Sequence, residues 1–497
     1  MRLPDRAAPG PPGLPDRTIP WLPAPFLRSQ VDGALPSFAL TPRGPVVSTD
    51  AWSGRDLALW DGRGWTRLTS GPLWHTAPRW ADGLLTAEVY DDLAAEHAVT
   101  RTVWPDGHEP AVRETHVSFP NGHEPAAREG QVLTHPVVGT VSLPPKAVVE
   151  DVATAPDRIA ILLRRGRARR VVCAGRGWTR HWDGPATALG PWLPGEELTL
   201  VVESWPGRSA RAWQVHTGAL RPLTEAGATV VHEVRRDGDL LALTWTSGDQ
   251  PRRLQFAEIG GPPVPLRVTP GELPPTTHTL AGGTLPCVVR DPPGMPRGTV
   301  VLFHGGPNGV NLATWSPLAD SLALAGWRVV QPNLRGSRLI DPEVFAPLPE
   351  RYGADDVDDA LTVLRETAVG PVVIGGHSYG GYLASRVALA APEVRGAFLL
   401  CSFLRSADLH EAEHAMVKAF MRTARFAPDD TLAEVPLFVA HGDRDPRIPV
   451  DAVRAHLPRL HPDSEWVELA GEGHGMLTDQ AARQVFPRLF RWLDRLG

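Results

Sequence analysis

The two halves of this chain carry different hydrophobic periods, and that difference limits the folds it can adopt. After about residue 280, continuous apolar runs alternate with helical stretches. The apolar runs are 299–303, 327–331, 371–374, 437–440 and 466–469, and the helical stretches are 314–325, 354–367, 380–391 and 478–496. Buried strands that alternate with helices indicate a mostly parallel sheet covered on both faces. We therefore expect an α/β domain over residues 280–497.

Residues 36–275 have a different pattern, with short apolar runs and no long helical period. Comparable runs start at residues 46, 84, 159, 198 and 240, which are 38, 75, 39 and 42 residues apart. The interval of 75 residues is about twice the others, which leaves room for one less distinct unit near residue 122. A period near 40 with several strands per unit is typical of a β-propeller. We expect six blades, or seven if the termini supply another; one or two β-sandwiches are the alternative.

The flanks of this β region mark the domain organisation. Residues 1–35 are rich in proline and without a period, which indicates an extended arm. The boundary between the two domains is expected within 270–285, a segment rich in proline, threonine and glycine.

Composition excludes several classes of protein. The net charge of the 497 residues is −6, so there is no global positive field that would hold nucleic acid or an anionic membrane. No stretch approaches 18 uncharged apolar residues, and the first residues have no apolar signal region. Three cysteines cannot form a disulfide framework. We expect a cytoplasmic protein with no nucleic-acid or membrane partner.

One local duplication could be taken for a metal site. The segment DGHEPAVRE at 106–114 returns as NGHEPAARE at 121–129. Its His and Glu residues are metal-ligand types, but no further ligand spacing accompanies them. A duplicated surface loop with Asp-Gly and Asn-Gly turns is the favoured interpretation. We expect no metal and no cofactor.

The strongest chemical motif is GHSYGG at 376–381, which follows an apolar strand and precedes a helix. That context is typical of a nucleophile elbow, in which flanking glycines allow a strained turn that exposes the serine oxygen. A serine hydroxyl needs a base to take its proton and an acid to orient that base. We therefore interpret Ser378 as a nucleophile with partners further along the chain.

Two later strands end in residues that can supply the base and the acid. His474 lies in GEGHG after the run 466–469, and Asp443 and Asp445 lie in HGDRDP after the run 437–440. The order serine, acid, histidine is that of α/β hydrolases. Asp445 is preferred to Asp443 because the Pro-Arg-Ile-Pro segment fixes the loop after it. His441 is interpreted as structural.

An anionic intermediate would also need hydrogen-bond donors. The backbone N–H after the nucleophile, that of Tyr379, is one candidate. The other is the loop His304-Gly305-Gly306-Pro307 directly after the strand 299–303, because such loops commonly supply the second donor. Tyr379, His304, Gly305 and Gly306 are therefore the predicted oxyanion-hole residues.

Taken together, the motifs of the C-terminal half resemble those of the prolyl oligopeptidase family of serine peptidases. The segments that carry the resemblance are HGGP at 304–307, NLRGS at 333–337, GHSYGGY at 376–382, HGDRDPRIP at 441–449 and GEGHG at 471–475. It covers residues 285–497, and the N-terminal half matches in architecture, since family members carry a β-propeller before the hydrolase. The resemblance implies a catalytic triad of Ser378, Asp445 and His474. It also places Arg447 where some branches bind a carbonyl of the peptide substrate; pairing with a nearby carboxylate is the alternative.

The chain also departs from parts of the family pattern. None of its four tyrosines lies in the HGGP loop, so it looks more like the acylaminoacyl-peptidase branch, with backbone oxyanion donors, than the branch that uses a tyrosine hydroxyl. After Ser337 it continues Arg-Leu-Ile-Asp-Pro instead of a Thr-Gly-Tyr-Gly type segment. No amine-binding Glu motif supports dipeptidyl specificity.

The expected function is that of a serine hydrolase that cleaves small peptides or acyl-peptides through an acyl-enzyme. An esterase or a cyclising acyl-transfer enzyme with the same triad is an alternative, as is a catalytically silent propeller binding protein. The residue preference and the oligomeric state, including a homo-oligomer, stay open. The S1 pocket is expected to draw on 401–430, although Phe403, Phe420 and Phe426 there more often pack a core than line a pocket.

Overall fold

A computed structural model of the chain describes residues 38–102, 132–338 and 351–496, apart from short stretches inside these ranges, of which 50–55, 91–98 and 267–274 are the longest. The predicted N-terminal arm at 1–35 and the duplicated loop at 106–129 lie outside the described residues. No helix among the described residues is long and apolar enough to cross a membrane.

The N-terminal half is a series of antiparallel sheets. Two sheets come first, β1 to β4 (Phe38–Thr41, Gly44–Thr49, Asp56–Trp60, Trp65–Arg67) and β5 to β7 (Trp74–Ala81, Leu84–Tyr90, Val99–Thr102). A hairpin, β8 and β9 (Val132–His135, Gly139–Ser142), and a sheet, β10 to β13 (Val148–Ala155, Arg158–Arg165, Ala168–Gly175, Trp178–Asp183), follow. The last units are β14 to β17 (Ala186–Leu193, Glu197–Ser204, Gly207–Gln214, Leu220–Pro222) and β18 to β20 (Thr229–Asp237, Leu240–Ser247, Gln250–Glu258). These two share one sheet through a single parallel contact between Arg208 and Val230.

The spacing of these units confirms a propeller-like domain. Four-strand and three-strand units begin at residues 38, 74, 148, 186 and 229, with one double step that contains the hairpin β8–β9. Neighbouring units pack through apolar side chains, as where Leu162 and Val171 of one sheet share an apolar cluster with Leu189 and Leu200 of the next. Each sheet alone exposes an apolar face, so stacking successive sheets buries it. The number of blades, six or seven, stays a prediction.

The C-terminal half is an α/β domain built on one eight-stranded sheet. Its strands are β21 (Thr276–Leu280), β22 (Leu285–Arg290), β23 (Gly298–Phe303), β24 (Trp327–Pro332), β25 (Val372–His377), β26 (Val394–Leu400), β27 (Leu437–Gly442) and β28 (Glu465–Leu469). They lie in the order β21-β22-β24-β23-β25-β26-β27-β28, and the strands from β24 to β28 are parallel. The sheet begins at Thr276, slightly before the predicted start of this domain at 280. All five predicted strands are present, and β21, β22 and β26 are additional.

Helices cover both faces of this sheet, as its continuous apolar strands require. They are α1 (Pro317–Leu324), α2 (Asp355–Thr367), α3 (Tyr379–Ala390), α4 (Ala415–Met421), α5 (Val450–Arg454) and α6 (Asp479–Asp494). Val301 and Ile374 face one apolar core, which includes side chains of α2 and α3. Their strand neighbours Val300 and Val373 face a second core with side chains of α1 and α6.

The strand order reverses at β23, because β24 lies on one side of it and β25 on the other. In open α/β sheets, ligands bind beyond the carboxyl ends of the strands at such a reversal. The chain leaves β23 at His304 and leaves β25 at Ser378. The topology therefore brings the HGGP loop and the GHSYGG turn to the same edge of the sheet.

Cys173, Cys287 and Cys401 are all buried, and none of the three forms a disulfide. Burial raises the pKa of the Cys287 thiol to about 12, so this group stays protonated and unreactive at neutral pH. These residues pack as small apolar side chains.

Replacement of Leu489 in α6 tests how much the second apolar core contributes to the free energy of unfolding. Leu489 is fully buried, and we expect Leu489→Ala to cost about 2–5 kcal/mol of unfolding free energy because it leaves a cavity. The matched change Leu324→Ala, at a helical leucine that is 46% exposed, is expected to cost no more than about 0.5 kcal/mol. Urea unfolding of both variants measures the difference. Equal costs would contradict the assignment of α6 to the core.

Candidate active site

Ser378 lies in a strained turn between β25 and α3. Its backbone φ is +54° and its ψ is −125°, a conformation that non-glycine residues seldom adopt. Four hydrogen bonds hold it: its N–H donates to Leu400 O (2.9 Å), and its carbonyl accepts from Gly381 N, Tyr382 N and Ser402 Oγ. The turn is thereby fixed by its surroundings, and strain of this kind clusters at functional sites.

Two glycines of the motif allow the close packing beneath this turn. A Cβ at Gly376 would lie 2.5 Å from the carbonyl carbon of Gly380 and 2.6 Å from the Phe303 oxygen. A Cβ at Gly380 would lie 2.4 Å from that same oxygen. Both positions face backbone atoms that cannot turn away, so only glycine fits. The elbow and the end of β23 are locked together.

His474 and Asp445 complete a hydrogen-bonded chain with Ser378. The His474 Nε2 atom is 3.0 Å from Ser378 Oγ, and its Nδ1 atom is 2.7 Å from Asp445 Oδ2. Since the ionised carboxylate can only accept, Nδ1 carries the proton and Nε2 is left to accept one from the serine. All three residues come from loops after strands β25, β27 and β28. The arrangement is competent for proton abstraction from the hydroxyl.

Asp445 is fully buried and held by several donors. Its Oδ1 atom accepts from the N–H groups of Arg447 (2.9 Å) and Ile448 (3.0 Å). Burial alone would raise its pKa, but the interactions with His474, His441 and the Ile448 N–H outweigh this and lower the pKa below its usual range. The carboxylate is therefore ionised at neutral pH.

Asp443, the other predicted candidate for the acid, has a different role in the structure. Its Oδ1 atom accepts from Gly471 N at 2.7 Å, and its side chain is exposed. It thereby holds the turn that leads to His474. The structure brings Asp445, and not Asp443, to the histidine.

Two further histidines lie beside the hydrogen-bonded residues Ser378, His474 and Asp445. His441 is buried, its Nε2 atom is 2.9 Å from Ile448 O, and burial lowers its pKa, which agrees with the structural interpretation. His377 was not singled out from the sequence. Its Nε2–H donates to the carbonyl of His474 at 2.8 Å, and the two rings lie 4.9 Å apart. His377, the residue before Ser378, thus fixes the backbone of His474, whose ring contacts the Ser378 hydroxyl.

Two of the four predicted oxyanion residues, Gly305 and Tyr379, lie directly beside Ser378. Gly305 lies against it, because a Cβ there would be 3.6 Å from Ser378 Cβ. The Tyr379 N–H is at the first residue of α3, where helix N–H groups carry partial positive charge. Gly306, with φ of +140°, turns the loop. Gly305 and Tyr379 are therefore close to Ser378 in the fold, and the role of the four residues as an oxyanion hole stays a prediction.

The ring of His304 holds this loop in place. Its Nε2 atom is 2.8 Å from Ser337 Oγ, and its Nδ1 atom is 2.8 Å from Gly305 O. Burial lowers its pKa, so the ring is neutral. Further along the loop, Asn311 and Asn333 exchange two hydrogen bonds of 2.7 and 2.9 Å. The NLRGS segment thus fixes the HGGP loop, a role that its sequence alone did not reveal.

Aromatic side chains pack beside the nucleophile. Phe403 stacks on Tyr382 with 4.5 Å between ring centroids, and Phe426 contacts Phe403 and Phe420 edge to face. The Tyr379 hydroxyl donates to Asp356, a buried carboxyl whose pKa burial raises. The three phenylalanines therefore pack into one aromatic cluster with the tyrosines that follow Ser378.

The sequence also predicts a substrate contact for Arg447 and no metal site. The backbone N–H of Arg447 supports Asp445, and its side chain is half-buried. Its contact with a substrate stays a prediction. In the part of the chain that the structure describes, no group of three or more metal-ligand side chains comes together.

The fold and this site define a class of protein. Residues 298–434 match the sequence profile of the alpha/beta hydrolase fold family. The C-terminal domain is an α/β hydrolase, in which a serine at a strand-to-helix turn meets a histidine and an acid from later loops.

Similarity to solved structures extends over both domains. The acylaminoacyl peptidase of Pyrococcus horikoshii superposes with a TM-score of 0.64 at 14% identity, covering 92% of this chain and 88% of that chain. A puromycin-hydrolyzing peptidase of Mycobacterium tuberculosis superposes with a TM-score of 0.60 at 16% identity, covering 93% of this chain and 79% of that one. The chain has the two-domain fold of the prolyl oligopeptidase family, with acylaminoacyl-peptidase-like neighbours. The resemblance inferred from the motifs is confirmed at this level.

A curated relative matches a shorter segment. Acylamino-acid-releasing enzyme 2 of Oryza sativa subsp. japonica is 32% identical over 101 residues. This match covers 19% of the present chain and 13% of the rice enzyme. The chain thus spans only a small part of the length of that relative.

The packing at Gly376 leads to a direct test of the elbow. We expect Gly376→Ala to lower the rate of labelling by a fluorophosphonate at least about a hundredfold, because the added methyl group displaces the nucleophile. Gly294→Ala is the control, since a Cβ there meets nothing within 4 Å. Mass spectrometry of the labelled protein measures both rates. Unchanged labelling of Gly376→Ala would contradict the packing described here.

Proposed function

We propose that the protein is a serine hydrolase that cleaves small peptides or acyl-peptides through an acyl-enzyme on Ser378. The observation that carries the proposal is the continuous hydrogen-bonded chain from Ser378 Oγ through His474 to Asp445. This geometry lets a histidine activate a serine while a buried carboxylate stabilises the charged imidazole. These contacts with His474 and Asp445 argue against the alternative of a catalytically silent binding protein.

The proton transfers of the proposed reaction follow from an ionised Asp445 and a neutral His474. As Ser378 Oγ attacks the substrate carbonyl, its proton passes to His474 Nε2, and Asp445 stabilises the imidazolium that forms. The same imidazolium then gives the proton to the leaving amine. Water activated by His474 cleaves the ester to Ser378 and regenerates the serine hydroxyl. No further cofactor is needed for this sequence of steps.

The negative charge that forms on the substrate oxygen requires hydrogen-bond donors close to Ser378. We assign the backbone N–H of Tyr379 as one donor and the Gly305–Gly306 segment as the source of the other. In enzymes of known mechanism, one such donor contributes about 3–4 kcal/mol to the transition state. The His304 and Asn333 contacts hold this loop before substrate binds, so little reorganisation is needed.

The propeller domain supports a preference for short substrates. It contacts the hydrolase domain in the segment that follows the HGGP loop, as where the Ala313 N–H donates to Pro206 O at 3.0 Å. We propose that it restricts access to Ser378, so that short peptides are cleaved and folded proteins are not. Incubation with a folded protein and its short tryptic fragments tests this, and comparable cleavage of the two would contradict it.

The choice of acid gives the sharpest mutational test. We expect Asp445→Asn to lower kcat about ten-thousand-fold, because the amide cannot stabilise the charged imidazole and favours the wrong tautomer. Asp443→Asn is the matched control two residues away; its amide oxygen can still accept from Gly471, so kcat is expected to stay within about threefold. Hydrolysis of acyl-aminoacyl amides and simple esters measures both variants.

The same substrates distinguish the competing functions. If Asp445→Asn retains activity while Asp443→Asn loses it, the proposed acid is wrong. If wild type hydrolyses the esters and none of the amides, the peptidase assignment fails and the esterase alternative replaces it.

A further inference from the structure

The turn directly after strand β26 holds the backbone of Ser378 at both ends. The carbonyl of Leu400, the last residue of β26, accepts from the Ser378 N–H at 2.9 Å. Two residues later, the Ser402 hydroxyl donates to the Ser378 carbonyl at 2.7 Å. Cys401 between them has a φ of +44°, a left-handed conformation that non-glycine residues seldom adopt. This strained turn thus brings both of its neighbours onto Ser378.

The Ser402 hydroxyl has one proton, and the geometry directs that proton to Ser378. The Oγ atom is 2.7 Å from the Ser378 carbonyl oxygen and 3.2 Å from that of Phe403. A carbonyl oxygen can only accept, so the hydroxyl is the donor, and the shorter contact is the stronger one. Ser402 is fully buried, so bulk water does not compete for this hydrogen bond.

The last glycine of the GHSYGG motif makes room for this contact. A Cβ at Gly381 would lie 2.6 Å from both the Cβ and the Oγ atoms of Ser402. Gly381 is the third residue of α3, and glycine is otherwise an unfavourable residue within a helix. The close approach of Ser402 therefore gives a physical reason for glycine at this position of the motif.

The carbonyl that Ser402 contacts belongs to the same peptide group as the Tyr379 N–H. That N–H is the donor assigned above to the proposed oxyanion hole. A peptide group is planar, so a contact that fixes its oxygen also fixes the direction of its N–H. A hydrogen bond to the oxygen also polarises the group, which strengthens the N–H as a donor. The position of the Ser402 hydroxyl thus bears directly on the Tyr379 N–H.

Ser402 is the closest of the three donors that the structure describes at this carbonyl. The other two are the backbone N–H groups of Gly381 at 3.0 Å and Tyr382 at 3.2 Å, both in α3. One acceptor shared between two such N–H groups is common at helix ends. Ser402 comes from a different element, so its bond connects this peptide group to the end of strand β26.

We propose that Ser402 is a positioning residue whose hydroxyl orients and polarises the Ser378–Tyr379 peptide group, so that the Tyr379 N–H meets the oxygen of the substrate carbonyl. Negative charge develops on that oxygen only as the reaction proceeds. Ser402 therefore speeds acylation of Ser378 and has little effect on substrate binding. This inference rests on the proposed hydrolase function and adds to it a residue that does not touch the substrate.

A pair of substrates tests this role. The pair is the N-acetyl amino-acid methyl ester that wild type cleaves best and the matching thionoester, in which sulfur replaces the carbonyl oxygen. Sulfur accepts hydrogen bonds weakly, so donors at this atom assist the ester much more than the thionoester. With enzyme in excess, we expect Ser402→Ala to lower the saturating rate of acylation by the ester about fivefold, the effect of one neutral hydrogen bond. The half-saturating enzyme concentration and the thionoester rate should stay within about twofold.

Two further variants control the measurement. Ser385→Ala removes another buried hydroxyl, which donates to the Tyr382 carbonyl in α3 at the same distance of 2.7 Å. That carbonyl belongs to the peptide group of Leu383, four residues beyond Tyr379, so the ratio of ester to thionoester rates should not change. Ser402→Cys keeps a weak donor and is expected to give a ratio between those of wild type and Ser402→Ala.

Equal losses for the ester and the thionoester in Ser402→Ala would overturn the proposal, because a displaced Ser378 hydroxyl slows both reactions alike. An unchanged ester rate, or a ratio that falls as far in Ser385→Ala, would overturn it as well. In each of these cases wild type still hydrolyses the ester, and the hydrolase function stands. Failure of wild type to cleave any ester or peptide and to react with a fluorophosphonate would instead contradict the proposed function itself.

Discussion

The contact between the GHSYGG turn and the end of β23 is the constraint on which the rest of the site depends. Gly376 and Gly380 allow the backbone of the turn to approach the Phe303 carbonyl, and no side chain fits between them. This approach sets Ser378 at a positive φ and fixes where its hydroxyl lies. The HGGP loop begins at the next residue after Phe303. Ser378 and the HGGP loop are therefore positioned by one packing contact instead of by two independent loops.

The remaining parts of the site attach to this contact from both sides. His377 holds the carbonyl of His474, and Asp443 holds the turn before it, so the histidine is anchored by its backbone as well as by Asp445. On the other side, Asn333 and Ser337 hold the HGGP loop. Preorganisation of this kind lets donors and acceptors act without reorganisation during the reaction. Asp443 and Asn333 directly follow strands β27 and β24, and His377 is the last residue of β25.

Much of this architecture could be predicted because many of its elements have a recognisable local sequence pattern. The five predicted strands are long apolar runs that end in motifs, and buried parallel strands produce such runs. Strand β26 was not predicted, although its FLL run is apolar, and only residues 391–393 separate it from α3. Strands β21 and β22 lie at the antiparallel edge, outside the alternating pattern. The supporting role of His377 depends on a carbonyl 97 residues away, which no local pattern indicates. The ion pair of Glu150 and Arg338 likewise joins residues of different domains.

The central claim is that Ser378 is an activated nucleophile, and direct labelling tests it most simply. The intact protein is treated with a fluorophosphonate, digested, and analysed by mass spectrometry, with Ser378→Ala and His474→Ala treated in parallel. We predict a single adduct on the peptide that contains Ser378 in wild type, none in Ser378→Ala, and strongly slowed labelling in His474→Ala. Equal labelling of wild type and Ser378→Ala, or no adduct on Ser378 in wild type, would contradict the account.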